Sequence, residues 1–546
     1  MKFNVLTFGK LVLGLCSLLI STASFGQFRE EIPVVLTEDD LGVLQGLPVD
    51  QVVGFSWSNE SWQQIPIQID ERHWKTALSL YGLDNIDPMF DVLEVLAYAD
   101  EKTYSGADED PSLDENDELV FMAYSAGNKY NGDFLPNNVI GDPYEVALTD
   151  ELNGITRYVY FFEQDGNYDP SAGINLVEYK YELIAPGAFK EAYVFNDFNP
   201  EDSYVNTDYY QQHYSDDWLR DGLTLKTGNT PEDDLLDYHK NQFVPGNCTR
   251  HPGTFSEGTG MHIASFDGPI RAVRSWMGAN SGALISRTHI FYEQMDEVET
   301  NFRVHSIRSF MDFFDFSTKA AGMTWYNEHN LQGFLVDGNQ DPVDTTYAKW
   351  SLMAGDQGSI LINNRIESNF PVDTIFSYYS DQANAPTQQC IGDQNEVAAH
   401  GWWIGQRLPN TDPRLGNENN KINMFLTNFY LGQNKTPANT AYLRDYLDYP
   451  LLINEVSSST TQIAPSMELP VSIIPNPAQD EIKIGVAGLE KGAALNLFSI
   501  DGRLVWSTNF RNDEVVSLPG TLGNGMYYLQ ITHEKGISNS KLFIQR

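Results

Sequence analysis

The chain has 546 residues, 41% of them hydrophobic and 20% charged, with 30 Phe, 28 Tyr and 10 Trp. That apolar supply excludes disorder for its bulk, and the length allows several domains at roughly 100–200 residues each. With 75 acids against 34 bases, a formal charge of -41, the chain repels nucleic acid and anionic membrane surfaces.

In chain order, the first element reads as an export signal over 1–26. Lys2 and Lys10 supply the positive start, 11–20 is an apolar run, and Ser24 and Gly26 are small residues before a cut at Gln27. The run is too short for a bilayer, which needs about 20 residues. Leu15 stands before Cys16 where a lipoprotein wants a small residue. No other stretch is apolar enough to span a membrane, so no transmembrane segment is expected in the mature chain.

Next come short alternating runs at 31–36, 52–57, 64–69, 118–124 and 156–162, separated by Gly, Pro, Asn and Asp. Alternation with turn signals at that spacing predicts β-sandwich strands. Between them, 108–118 gathers Asp108, Asp110, Asp114, Asn116 and Asp117. These are hard oxygen ligands that suit calcium, although the EF-hand glycine is missing. A turn-forming run at 164–173 suggests a boundary, giving an N-terminal β domain over 27–165 and a main β domain over 166–455. Helical periodicity is confined to 438–446 and 233–240.

Only Cys248 and Cys390 remain after export. In an oxidising compartment the simplest reading is one disulfide. The alternative is a tetrahedral zinc site that adds His251 and His400, since thiolate and imidazole suit zinc. Either way the 248 and 390 regions meet in space.

The main domain holds longer strands, one beginning near Gly268 and a hairpin formed by 285–292 and 298–307. This pattern after Asp267-Gly268-Pro269 resembles the β-supersandwich (galactose-mutarotase-like) modules of polysaccharide lyases and glycosidases. No lysine occurs in 241–318, but six arginines do: Arg250, Arg271, Arg274, Arg287, Arg303 and Arg308. Arginine's planar fork binds carboxylate or sulfate bidentately, whereas lysine is a point charge. A hairpin turning at Met295-Asp296 puts His289 opposite Arg303 and Arg287 opposite His305, all on one face at about 5 Å.

Two guanidiniums and two imidazoles so arranged suit β-elimination of a uronate. The cations neutralise the carboxylate, a histidine takes the neighbouring proton, and a tyrosine protonates the leaving oxygen. Arg287, Arg303, His289 and His305 are therefore the candidate catalytic residues. Arg271, Arg274, Asn280, Trp402 and Trp403 are the candidate substrate contacts, the tryptophans by stacking on sugar rings. The plain alternative is a strand face decorated with solvated ion pairs. His262 and His251 read equally well as core or turn residues. No Ser elbow, zinc-protease helix, phosphate loop or dinucleotide fingerprint is present.

Residues 456–470 form a Ser/Thr/Pro-containing linker. Beyond it, 471–546 alternates apolar runs with turns: Ile473-Ile474-Pro475-Asn476-Pro477, Asp501-Gly502-Arg503, Gly525-Met526-Tyr527-Tyr528-Leu529 and the basic close at Arg546. Its period predicts a small antiparallel β-sandwich. It closely resembles the type A C-terminal sorting domain of the Bacteroidota type IX secretion system. That resemblance implies recognition by the secretion machinery, then release or attachment at the outer surface. The expectation is a mainly β, exported protein acting on an acidic polysaccharide as a lyase, or else holding that polymer without catalysis.

Overall fold

The computed structural model describes residues 28–81, 93–182, 201–215, 219–243, 261–279, 282–383, 395–415, 420–456, 471–486, 489, 492–499, 504–533 and 536–546. Residues 1–458 form one compact unit and 459–546 a second. Both are mainly β, as the alternating pattern predicts.

The first unit is organised by a nine-stranded antiparallel sheet. Its order is Met261–Asp267, Arg271–Ala279, Gly282–Tyr292, Met295–Asn301, Ile422–Leu431, Gly358–Ser368, Trp350–Gly355, Thr324–Asn327 and Asn330–Leu335. Because side chains alternate, each strand feeds two cores. Tyr292, Met295, Phe429 and Leu361 pack with the N-terminal strands through Phe121, Val146 and Phe161. The adjacent Phe291, Val298, Leu426 and Ile362 pack the other way, against Tyr210, Tyr214, Phe314 and Tyr379.

That second face, called the inner face below, is covered by two four-stranded sheets. One contains Tyr210–Tyr214 and Arg220–Leu225. The other runs Leu236–Phe243, Phe310–Phe316, Asn395–Ile404 and Ile375–Ala383. Fully burying each large apolar side chain in these cores contributes about 1.5–3 kcal/mol.

The N-terminal part supplies a five-stranded sheet that runs Leu452–Val456, Val139–Asp150, Ile155–Gln164, Val52–Ser58 and Ser61–Ile65. The strand Leu452–Val456 thus pairs with one from the first third of the chain. One core serves both the 27–165 and the 166–455 stretches.

Two local expectations are corrected. Residues 233–240 are not helical: Leu236–Phe243 is a strand paired with Phe310–Phe316. The run 64–69 is two strands, Ser61–Ile65 and Gln68–Asp70, because Pro66 cannot donate to a ladder. The 438–446 run does hold a helical turn, Ala441–Arg444.

The second unit comprises a three-stranded sheet (Val471–Ile474, Glu481–Val486, Val515–Ser517) and a four-stranded one (Leu504–Phe510, Ala493–Phe498, Gly525–His533, Gly536–Ile544). They share a core of Ile482, Ile484, Leu495, Leu497, Leu529 and Leu542.

Candidate functional site

The hairpin forms with a different register from the one expected. Gly282–Tyr292 pairs with Met295–Asn301 so that Arg287 faces Thr300 and His289 faces Val298. The turn is Glu293-Gln294. Met295 and Asp296 are fully buried, and a turn at buried residues would strand its backbone groups. The second strand ends at Asn301, so Arg303 and His305 lie beyond it and the four groups do not converge. His305 is exposed, with its Nδ1 3.1 Å from its neighbour's carbonyl Ser306 O.

What gathers instead lies on the inner face. Asp296 is the hub: Arg220 Nη2 donates to its Oδ2 at 2.7 Å, Asn428 Nδ2 at 3.1 Å, and Gln212 Nε2 to Oδ1 at 2.9 Å. The Tyr430 hydroxyl also donates to Oδ1. His289 Nδ1 sits 3.1 Å from the Tyr214 hydroxyl and 3.3 Å from Arg220 Nη2, with its ring stacked on Trp276. Burial, then Arg220, Arg274 and Arg287, hold His289 well below the ordinary imidazole value, so it is neutral. Burial pushes the Tyr214 phenol up to about 12.

Arg287 is tied down. Its Nε donates to Thr300 Oγ1 at 2.9 Å and its Nη2 to Asp312 Oδ2 at 2.9 Å. His239 Nε2 donates to the other oxygen of Asp312 at 2.7 Å. Burial raises the Asp312 carboxyl, but His239 and Arg287 outweigh it and hold the group low.

Arg271, expected at the substrate, faces the N-terminal strands. Its Nε donates to Asp70 Oδ2 at 2.7 Å, Nη2 pairs with Glu118, and Nη1 donates to the Tyr292 hydroxyl at 3.2 Å. It is a structural tie, 1% exposed. Arg274 is on the inner face beside His289, fully buried.

Of the paired tryptophans, Trp402 is buried, with its ring near Phe310, and Trp403 is half-buried near Phe376. Asn280, Cys248, Cys390 and His251 lie outside the described residues. His400 is buried and donates from Nδ1 to Ala398 O at 2.8 Å. His262 is buried beside Trp276.

In the acidic 108–118 run the carboxylates accept from backbone amides, mostly of their own loop. Asp108 takes the Asp110 amide at 3.0 Å, Asp114 the Asn116 amide at 2.8 Å, and Asp117 the amides of Asp114 and Arg72, both at 2.9 Å. Among the described residues, no three His, Cys, Asp or Glu side chains are grouped to hold a metal ion.

An open cleft of about 330 Å³ lies where the hairpin strand ends. Arg303, Lys421, Asn301, Asn420, Asn423 and Thr411 line it together with Leu93, Phe302 and Pro413. Among the described residues no carboxylate lines it.

Arg220, Asp296, Asp312, His239 and Lys421 were missed in the sequence. A signal existed for Asp312: it interrupts Phe310-Met311-Asp312-Phe313-Phe314-Asp315-Phe316, and an acid inside a buried aromatic strand needs a partner. Nothing local marks Arg220.

Residues 472–545 match the family described as the secretion system C-terminal sorting domain. No curated protein matches the chain. Among solved structures, the GalM/aldose epimerase homologue of C. elegans aligns over 47% of this chain and 100% of its own, at 8% identity and a TM-score of 0.21. That likeness is too distant to assign an activity. The second unit is thus a type IX sorting domain, and the protein is secreted or attached at the outer surface by that route. Among the described residues no helix is long and apolar enough to cross a membrane.

Proposed function

We propose that this exported chain binds an acidic polysaccharide, with the Arg303–Lys421 cleft reading the polymer's anionic groups. The observation that carries this reading is the cleft's lining: among the described residues it shows two cations, three amides and a hydroxyl, with no acid, in a chain of formal charge -41. A guanidinium takes carboxylate or sulfate bidentately, lysine adds charge, and asparagine amides suit sugar hydroxyls. The volume falls at the lower end of ordinary small-ligand pockets, about 300–1,000 Å³, and fits a short saccharide stretch.

The test is affinity electrophoresis of the secreted chain through gels containing alginate, pectin, ulvan or a glycosaminoglycan. Retardation should weaken as salt rises and disappear in Arg303→Ala/Lys421→Ala. A double variant that is retarded as strongly as the parent would remove the cleft from the account.

Elimination is the second reading, favoured by the Tyr214 hydroxyl 3.1 Å from His289 Nδ1. A neutral imidazole as base and a phenol as acid, beside the Arg274 cation, are the functions that uronate elimination needs. Those groups are buried, so this reading also demands that polymer reach the inner face. Ultraviolet absorbance of an unsaturated uronate product, lost in His289→Ala, supports it. Absence of that product from every polymer that binds rejects it.

A further inference from the structure

Three guanidiniums stand on or against the inner face, and two have carboxylates. Arg220 is paired with Asp296 and Arg287 with Asp312. Arg274 has none. Its Nε, Nη1 and Nη2 are all buried without a hydrogen-bond partner, and the residue is fully buried. Its guanidinium carbon lies 4.2 Å from the Tyr214 ring centroid and 4.6 Å from that of Trp276. Ring contacts of that kind stabilise a desolvated cation. They do not replace hydrogen bonds at the planar edge, where five N–H groups point.

The other described neighbours add no negative charge. Cross-strand partners are Ser265 and His289. His262 and His289 are both kept neutral, first by burial and then by arginine; the Tyr179 phenol, which lies against Arg274 and Ser265, is pushed up to about 12 by burial and is neutral too. A lone buried charge is among the costliest features a core holds.

We infer that Arg274 is the receptor of one small monovalent anion, a halide or a short carboxylate, bound at the guanidinium edge within the first unit. This site is separate from the Arg303 cleft and does not depend on the saccharide reading. Ser265, the cross-strand partner of Arg274, and the Tyr179 hydroxyl stand beside that edge.

The experiment uses the full chain. Thermal melting is followed in chloride, bromide or formate, exchanged against gluconate at constant ionic strength, and crystals are soaked in bromide. A bound ion that prefers the folded state raises Tm in a saturable way. The expected result is such a rise in the native chain, none in Arg274→Met, and an anomalous bromide peak at the Arg274 edge. A halide response without a formate response assigns the halide; a stronger formate response assigns the carboxylate. Absence of the peak, or an unchanged anion response in Arg274→Met, overturns the site. Should that variant fail to fold, the bromide peak in native crystals decides alone.

Discussion

Arg287 Nη2 donates to Asp312 Oδ2 at 2.9 Å, and this buried ion pair ties the nine-stranded sheet to a sheet that covers its inner face. The same carboxylate holds His239. One side chain therefore anchors strands from three parts of the sequence.

Replacing Asp312 by Asn should accordingly be severe. It leaves Arg287 buried without its counter-charge, a situation that costs about 3–5 kcal/mol. The unfolding free energy from urea denaturation should fall by that amount relative to a surface control such as Asp356→Asn. A change within about 0.5 kcal/mol, as at ordinary surface positions, would mean that the pair is not a tie.

Acid should weaken the fold through its buried imidazoles. Burial lowers His400 from 6.5 to about 4 in the folded chain. Between those values the unfolded chain binds the extra proton, so stability falls as pH drops from about 6.5 towards about 4. At 1.36 kcal/mol per pKa unit, His400 contributes up to about 3 kcal/mol of that loss. His400→Asn keeps a donor for Ala398 O and stays neutral throughout. Denaturation midpoints measured from pH 7 to pH 4 should therefore fall less steeply in the variant. His239, His262 and His289 are lowered in the same direction and keep some slope.

Gly401 occupies a strand flanked on both sides, opposite Phe313 and Tyr378. A Cβ there would lie 2.2 Å from the Asp312 carbonyl oxygen and 2.4 Å from Phe313 Cα. Both obstacles are backbone, so no rotamer change relieves them. Gly401→Ala should cost about 1–3 kcal/mol or more and loosen the pairing of Asn395–Ile404. Amide exchange at Phe313 and Tyr378 is the measurement. Unchanged protection would show that the strand shifts freely.

Much of the β architecture was readable from alternation, and the sorting unit from its turn residues. Val52–Ser58 and Ile155–Gln164 fall where short apolar runs between turn signals put them, and their alternate side chains feed two cores. The site was not readable, for two reasons. The hairpin's turn position was inferred from Met295-Asp296, yet Asp296 tolerates burial only because Arg220, from a distant strand, neutralises it. Such compensation leaves no local trace. Likewise Arg271 and Arg274 are three positions apart on one strand and point to opposite faces. One meets Asp70 and Glu118, and the other lies over the rings of Tyr214 and Trp276.

The pairing of Leu452–Val456 with Val139–Asp150 has a consequence for export. The strand that completes the N-terminal sheet stands at the far end of the first unit's described residues, so that sheet cannot be completed until the chain is present through Val456. Trimming of the tail downstream of Val456 leaves the mature cargo its full complement of strands. Trimming upstream of Leu452 bares a sticky edge on the five-stranded sheet.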